Sequence, residues 1–546
     1  MGGCTPHLPL EISREPRHGR RMPKTFYITT AIDYTNGAPH IGHAYEKVLA
    51  DTLARYHRFA GRDVYFLTGV DQHGQKVQQS AEKEGIAPAE FSDRTAGMFI
   101  ALWEKLSVHY DGWAATTDPR HKACVQRALQ QLHDAGQLYK KPYTGFYSVR
   151  QEQFLTDKER GPDGDFGPEW GEVVEIAEEN WYFRLSDHVE WLRGYIRTRE
   201  DCVLPSFRRS ELMHAMERAE AGDLCISRPK SRLQWGIELP FDPDFVNYVW
   251  FDALMNYVSF AGFLADADSG LPDFNSLWPA DLQIIGKDIL VPPHGVYWLI
   301  MLHALGIPDE KMPRILVHGW WNLRGRDGQS EKMSKSLGNV VDPNELADQL
   351  GADALRYYLM RDIATGHDAD FAPDRLLSRY NADLANDLGN LVNRTLNMIQ
   401  RYRTGIVTPG THDDALCRDL RAHGPETRAA YAAAMDACLP HTALEAVWKW
   451  IVACNQFIDK SAPFKLAKDP DAAARLDAVL AHLAESIAQI ALLLAPVMPV
   501  ATGKIMDQLQ LSPAQRATTL AALANPVLAT GHTVGKPEPV FPRAEA

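Results

Sequence analysis

Pro39-His40-Ile41-Gly42-His43 lies between two segments of different periodicity. Upstream, Phe26-Tyr27-Ile28-Thr29-Thr30 is a short β-branched and aromatic run, which predicts a buried strand. Downstream, Tyr45, Val48, Leu49, Thr52, Leu53 and Tyr56 recur at helical spacing. The two histidines and the glycine therefore fall on a strand-to-helix turn. A helix start presents unpaired backbone N–H groups and the positive end of the helix dipole, which suits a phosphate. Imidazoles add donors there, and Gly42 lets a ligand approach the backbone closely. Two capping histidines beside a turn glycine would read the same way, so the turn gains meaning only from residues elsewhere.

Three further apolar runs supply them. Val64-Tyr65-Phe66-Leu67-Thr68 ends in Gly69-Val70-Asp71-Gln72-His73-Gly74, Leu282-Gln283-Ile284-Ile285 ends in Gly286-Lys287-Asp288, and Ile315-Leu316-Val317 ends in His318-Gly319. Each strand runs straight into a glycine and a polar group. In open parallel sheets, ligands bind beyond the carboxyl ends of the strands. Delivery of His40, Asp71, Asp288 and His318 to one sheet edge predicts a composite site.

The 546 residues are too many for one core. With 45% hydrophobic and 23% charged residues the composition is that of an ordinary globular protein. A net charge of -13 announces no nucleic acid in bulk, although only a local surface need be basic to bind one. Seven scattered cysteines without a Cys-x-x-Cys pair predict a reducing, cytoplasmic setting and neither a disulfide framework nor a Cys-rich metal site. The longest apolar stretch, Ile490 to Ala501, is broken by Pro496 and Pro499 and reads as a buried helix with its exit, so no membrane is expected.

The expected organisation is a disordered extension at 1–21, the first half of a doubly wound sheet at 22–117, and an insertion at 118–227 that turns Gly-, Pro- and acid-rich from Gly161 to Glu179. The sheet resumes at 228–322, and 323–380 carries a glycine- and lysine-rich loop without apolar period. A helical bundle follows at 381–524, with Leu384, Leu388, Leu391, Val392, Thr395 and Ile399 as one stripe and Asn386, Asn390, Asn393, Arg394 and Asn397 around its polar face. So many Asn in one helix point to a polar partner, either neighbouring helices or a ligand. Residues 525–546 read as an extended tail.

The His40-Ile41-Gly42-His43 turn, paired with Lys332-Met333-Ser334-Lys335-Ser336 downstream, resembles the twin signatures of class I aminoacyl-tRNA synthetases. Tyr248 to Tyr257, Ile226 to Trp235 and Asp383 to Arg394 are similar to the methionine-specific branch, the methionyl-tRNA synthetases. The resemblance covers about residues 22–546. It implies a Rossmann-like α/β catalytic domain with an inserted connective subdomain, followed by an all-α anticodon-binding domain. It also implies the two-step joining of methionine to its tRNA, with ATP as substrate, magnesium on the triphosphate and a monomeric enzyme.

Site residues carry over by position. His40, His43, Lys332 and Lys335 become the catalytic donors, and Gly42, Gly286, Asp288, Lys335 and Arg228 the ATP contacts. Ala31, Ile32, Tyr34, Asp71, Trp250, Ala253, Leu254, Tyr257 and His318 become the methionine pocket, and Asn390, Arg394 and Phe464 the anticodon readers. Bare aromatics such as Trp250 and Tyr257 would otherwise read as core. An unbranched thioether suits aromatic and aliphatic walls, and a carboxylate suits the α-ammonium.

Three departures stand out. Ser148-Val149-Arg150-Gln151 and Gly167-Pro168-Glu169-Trp170 occupy places where many relatives carry zinc-binding Cys pairs. Without thiolate or imidazole donors, no structural zinc is expected. Asp33 stands where Pro or an aromatic is usual, and Phe464 where Trp is usual. The alternatives are another class I synthetase or a non-catalytic tRNA-binding relative. The insertion is too small for a large editing domain, and the intact histidine and lysine signatures argue for catalysis.

Overall fold

Strand β1 (Phe26–Thr30) is buried at every residue, as a strand covered on both faces must be. Its neighbours are β2 (Asp33–Tyr34), β3 (Val64–Asp71), β4 (Gly112–Ala115), β5 (Val203–Leu204), β6 (Leu282–Gly286) and β7 (Ile315–His318). The order across the sheet is β2-β3-β1-β6-β7-β5, with β4 pairing on β3, and every pair is parallel. The four apolar runs of the sequence are thus the four central strands, and their carboxyl ends share one edge. The computed structural model describes residues 24–150, 153–155, 157–161, 163–218, 222–324, 330–332, 341–410 and 412–545. The 1–21 extension and Lys335 lie outside them.

Helix α1 (Ile41–Phe59) packs on β1 and β3 and also against the helical domain, so it is buried on nearly all sides. Burial therefore reaches past the apolar stripe to Glu46, Lys47, Asp51 and His57.

His57 packs on the Phe26 ring at 3.8 Å. Burial, with Arg62 and Arg314 nearby, pushes its pKa down to about 3. The folded state keeps it neutral, whereas the unfolded chain protonates it below its ordinary value near 6.5. Stability is therefore lost as the pH falls from 6.5 towards 3. Between pH 7 and pH 5 this single group is expected to cost about 2 kcal/mol. His57→Leu should flatten that part of the pH dependence of the urea midpoint, and an unchanged slope would count against it.

Leu138–Ser148 and Val173–Phe183 pair as a long antiparallel ladder standing off the main sheet as a hairpin. The span 118–227 is more divided than the sequence suggested, because Val203–Leu204 returns to the main sheet as β5. At the hairpin tip, the Ser148 hydroxyl donates to the Trp170 carbonyl. The Arg160 guanidinium sits 4.6 Å from the Phe146 ring and 4.4 Å from Phe166. These are hydroxyl, aromatic and guanidinium contacts, and none is a zinc ligand.

The C-terminal bundle is built from α2 (Ala352–Arg361), α3 (Asn390–Arg403), α4 (Ala415–Asp436), α5 (Pro440–Ser461) and α6 (Ala473–Leu494). The predicted stripe from Leu384 to Ile399 is buried throughout, although its first part, Tyr380–Gly389, is wound as a π-helix. Pro470–Leu494 is long and apolar enough to cross a membrane, but 78% of its apolar window is buried in the bundle. The tail folds back: His532–Thr533 pairs with Ile406–Val407, and the Tyr380 hydroxyl donates to the Pro542 carbonyl at 2.8 Å.

Candidate active site

At the carboxyl edge of the sheet lies a cleft of about 520 Å³. It is lined by Ala31, Ile32, Tyr34, His40, Gly42, His43, Asp71, Trp250, Ala253, Leu254, Tyr257, Gly286, Asp288 and His318. All but three of the residues expected at the catalytic, ATP and methionine sites meet there, drawn from segments up to 287 residues apart in sequence.

The opening turn has a double role. His40 is the N-cap of α1: its Nδ1 accepts the Gly42 N–H at 3.1 Å, while His43 Nδ1 accepts the His40 N–H at 3.0 Å. This reciprocal capping box uses imidazoles in place of the usual hydroxyl and carboxylate. Because both Nδ1 atoms accept, the neutral tautomers carry their protons on Nε2. The rings lie 3.8 Å apart, so two imidazoles stand side by side at a helix N-terminus. Capping and ligand-facing roles, alternatives in the sequence, coincide. Gly42 has a local reason as well: a Cβ there would come 2.9 Å from the His40 ring.

Across the cleft, Tyr257 and Leu254 are almost wholly buried, and Trp250 packs at the rim. The Tyr257 hydroxyl lies 2.7 Å from His294 Nε2, and His294 Nδ1 lies 2.8 Å from the Ile289 carbonyl. That carbonyl fixes Nδ1 as the donor, so Nε2 accepts from Tyr257. Burial drives the His294 pKa down to about 4, which keeps the ring neutral at physiological pH. The sequence reading missed His294. It follows Pro292 and Pro293 inside an irregular π-helical segment, Leu290–Trp298, where no regular period places a side chain. Trp320, also unread, donates from its indole to Asp288 at 3.1 Å.

The Asp71 carboxylate receives the His73 N–H at 3.4 Å and the Thr116 hydroxyl at 3.5 Å. Beneath it, Asp252 binds His73 Nδ1 at 2.7 Å and His121 Nε2 at 2.8 Å. Burial raises the Asp252 pKa, but the two histidines outweigh it and hold the carboxyl down at about 2. This buried triad pins the Trp250–Ala253 segment to the end of β3.

Three expected residues remain, and of these only Arg228 has a described side chain. Arg228 is buried away from it, its guanidinium 5.4 Å from the Tyr147 ring and 4.6 Å from Tyr248, with Nη1 donating to the Ser227 carbonyl. Two aromatic rings around the cation, one from Tyr147 of the hairpin and one from Tyr248, hold it there. Lys332 ends the strand Ser330–Lys332, paired with Trp321–Arg324, which brings its backbone to the rim beyond β7. Lys335 lies outside the described residues.

A family profile described as "tRNA synthetases class I (M)" matches residues 26–163 and 170–396, and one described as "Anticodon binding domain of methionyl tRNA ligase" matches 406–546. The methionine--tRNA ligase of Lactococcus lactis is 40% identical over 531 residues, spanning 96% of this chain and 78% of the relative. That of Bacillus subtilis is 40% identical over 539 residues with the same shares. The crystal structure of Mycobacterium tuberculosis methionyl-tRNA synthetase bound by methionyl-adenylate superimposes with a TM-score of 0.88 at 37% identity, covering 95% of this chain and 100% of that one. The chain belongs to the methionyl-tRNA synthetases.

Within that family, the exposed end of the helical domain is the second region of interest. Asn390 and Arg394 are exposed one turn apart on α3. Arg394 donates to Asp459 on α5 at 2.9 Å. Residue 462 closes α5 in a left-handed conformation, which directs the short helix Pro463–Leu466 outward and leaves Phe464 48% exposed. The Arg394–Asp459 contact thus joins α3 to the end of α5, and Phe464, five residues beyond Asp459, presents an exposed aromatic ring.

Proposed function

We propose that this enzyme joins methionine to tRNA in two steps, within the cleft at the carboxyl edge of its sheet. A methionine carboxylate oxygen attacks the α-phosphorus of ATP. The bond to the β-phosphate oxygen breaks, pyrophosphate leaves and methionyl-adenylate forms. A hydroxyl of the terminal tRNA adenosine then attacks the carbonyl carbon, and AMP departs with the bonding electron pair.

The observation that carries this reading is the paired His40 and His43 donors facing Asp71 and the Trp250–Tyr257 wall across one cleft. His40 and His43 donate through Nε2 to the phosphates as charge moves onto the leaving group. Asp71 pairs with the α-ammonium. Trp250, Ala253, Leu254, Ala31 and Ile32 wall the side chain, with Tyr257, His294 and His318 at its polar end. Gly286 and Asp288 meet the ribose, and Lys332 and Lys335 close on the phosphates. No protein nucleophile is needed, since positioning and charge stabilisation do the work. Magnesium comes with the triphosphate and neutralises its charge. Among the described residues no group of three His, Cys, Asp or Glu is gathered for a metal. The enzyme acts as a cytoplasmic monomer.

Methionine-dependent exchange of pyrophosphate into ATP tests the first step. Exchange with methionine and not with leucine, isoleucine, valine or cysteine is the expected result, and its absence would favour a non-catalytic tRNA-binding relative. For the second step, Asn390, Arg394 and Phe464 read anticodon bases by edge hydrogen bonds and stacking. Arg394→Ala should raise KM for tRNA about tenfold or more, leaving exchange unchanged. Normal aminoacylation at low tRNA concentration would remove Arg394 from this role.

A further inference from the structure

Lys47 is fully buried on α1, one turn past the His40–His43 cap. Its ammonium donates to three oxygens: the Ala31 carbonyl at 2.9 Å, Asp33 Oδ1 at 2.9 Å and Glu46 Oε1 at 2.7 Å. Ala31 and Asp33 belong to the short segment between β1 and α1 that lines the cleft. The other Glu46 oxygen, Oε2, lies 3.1 Å from His318 Nε2, at the carboxyl end of β7. One ammonium therefore ties two walls of the amino-acid cavity to the helix that begins at the phosphate-facing histidines.

Buried ions persist only where they are paired and hydrogen-bonded, and Lys47 fills all three donor directions of its ammonium. Burial pushes its pKa down, but Asp33 and Glu46 more than offset this and the net shift is upward. For Glu46, burial pushes up, and Lys47 with His318 brings the net shift down. The same contact accounts for Asp33, a carboxylate in the wall of the cleft. A carboxylate is tolerated in this cavity wall because Lys47 lies beneath it to neutralise it.

We propose that Lys47 and Asp33 form a buried latch that positions the Ala31–Tyr34 wall, and so sets how well the cavity fits its amino acid. Lys47 touches no reacting atom and acts as a positioning residue. The latch rests on the reading of the cleft as the methionine site, and the wild-type exchange assay tests that reading separately.

The variants Lys47→Met, Asp33→Asn and the double substitution are compared by KM for methionine, KM for ATP and kcat in pyrophosphate exchange. Methionine Kd is read from tryptophan fluorescence. Lys47→Met is expected to raise methionine KM about tenfold or more, with ATP KM moved less than about threefold. Asp33→Asn shifts the same constant in the same direction. The double variant is no worse than Lys47→Met, because both changes break one contact. A purely structural role would lower kcat and stability with no such split. If Lys47→Met does not fold, Asp33→Asn decides, since it leaves the Lys47–Glu46 pair intact. Unchanged methionine KM and Kd in Asp33→Asn, or multiplicative losses in the double variant, would overturn the latch.

Discussion

His40→Asn is expected to slow pyrophosphate exchange by about 10²–10³-fold while leaving the melting temperature nearly unchanged. The contrast follows from the two nitrogens of one ring. Nδ1 accepts the Gly42 N–H as the helix cap, so Nε2 carries the ring's proton on a residue that lines the cleft. Asparagine is among the best N-cap residues, because its side-chain oxygen accepts the same backbone donors. It preserves the cap and removes the donor. Loss of one preorganised donor at developing charge costs about 2.7–4 kcal/mol of transition-state stabilisation. Methionine Kd should stay near the wild-type value, since His40 faces the phosphate side. His40→Ala, by contrast, loses both functions and should also destabilise the fold by about 1 kcal/mol. Exchange by His40→Asn within threefold of wild type would leave His40 as a cap alone.

The central strands and their terminal polar groups were legible in the sequence, because apolar runs that stop at a glycine and a charge have little other use in a parallel sheet. The edge strand Val203–Leu204 was not: two residues carry no period. His294 was hidden by the irregular winding around Pro292 and Pro293. Lys47 was hidden for the opposite reason. Its helix is regular, and a lysine off the apolar stripe reads as solvated, whereas the cleft wall and the helical domain cover both sides of α1. Arg228 shows the limit of carrying roles by position: its place in the chain matches, but tyrosine rings cage its side chain away from the cleft. Asp33 had no reading in sequence because its partner lies 14 residues away on another element.

Arg356→Met is expected to lower the unfolding free energy by about 3–5 kcal/mol, the usual result of removing one partner from a buried pair. Arg356 on α2 is fully buried and lies 2.7 Å from Asp51 of α1, which is equally buried. Its other donors go to the carbonyls of Leu106 at 3.0 Å, Pro496 at 3.0 Å and Val497 at 2.7 Å. One planar guanidinium thus joins the helix behind the histidine turn to the end of α6 in the helical domain. Methionine would leave three carbonyls without a donor in a dry interior and take from Asp51 one of its partners, leaving Arg55 at 2.7 Å and the His109 N–H at 2.9 Å. Lysine would recover little, since a point charge cannot reach four acceptors spread around a planar fork. The functional consequence separates the two steps. Well below the variant's melting temperature, exchange depends on the cleft alone and should change only slightly. On the proposed reading, aminoacylation also uses the exposed Asn390–Arg394 face at a fixed distance from the cleft, so KM for tRNA should rise. Denaturant titration and the two assays on one preparation check both parts. A loss below 1 kcal/mol would mean that the interface does not depend on this contact. Equal losses in exchange and aminoacylation would mean that the contact supports the cleft itself and not the spacing between the two sites.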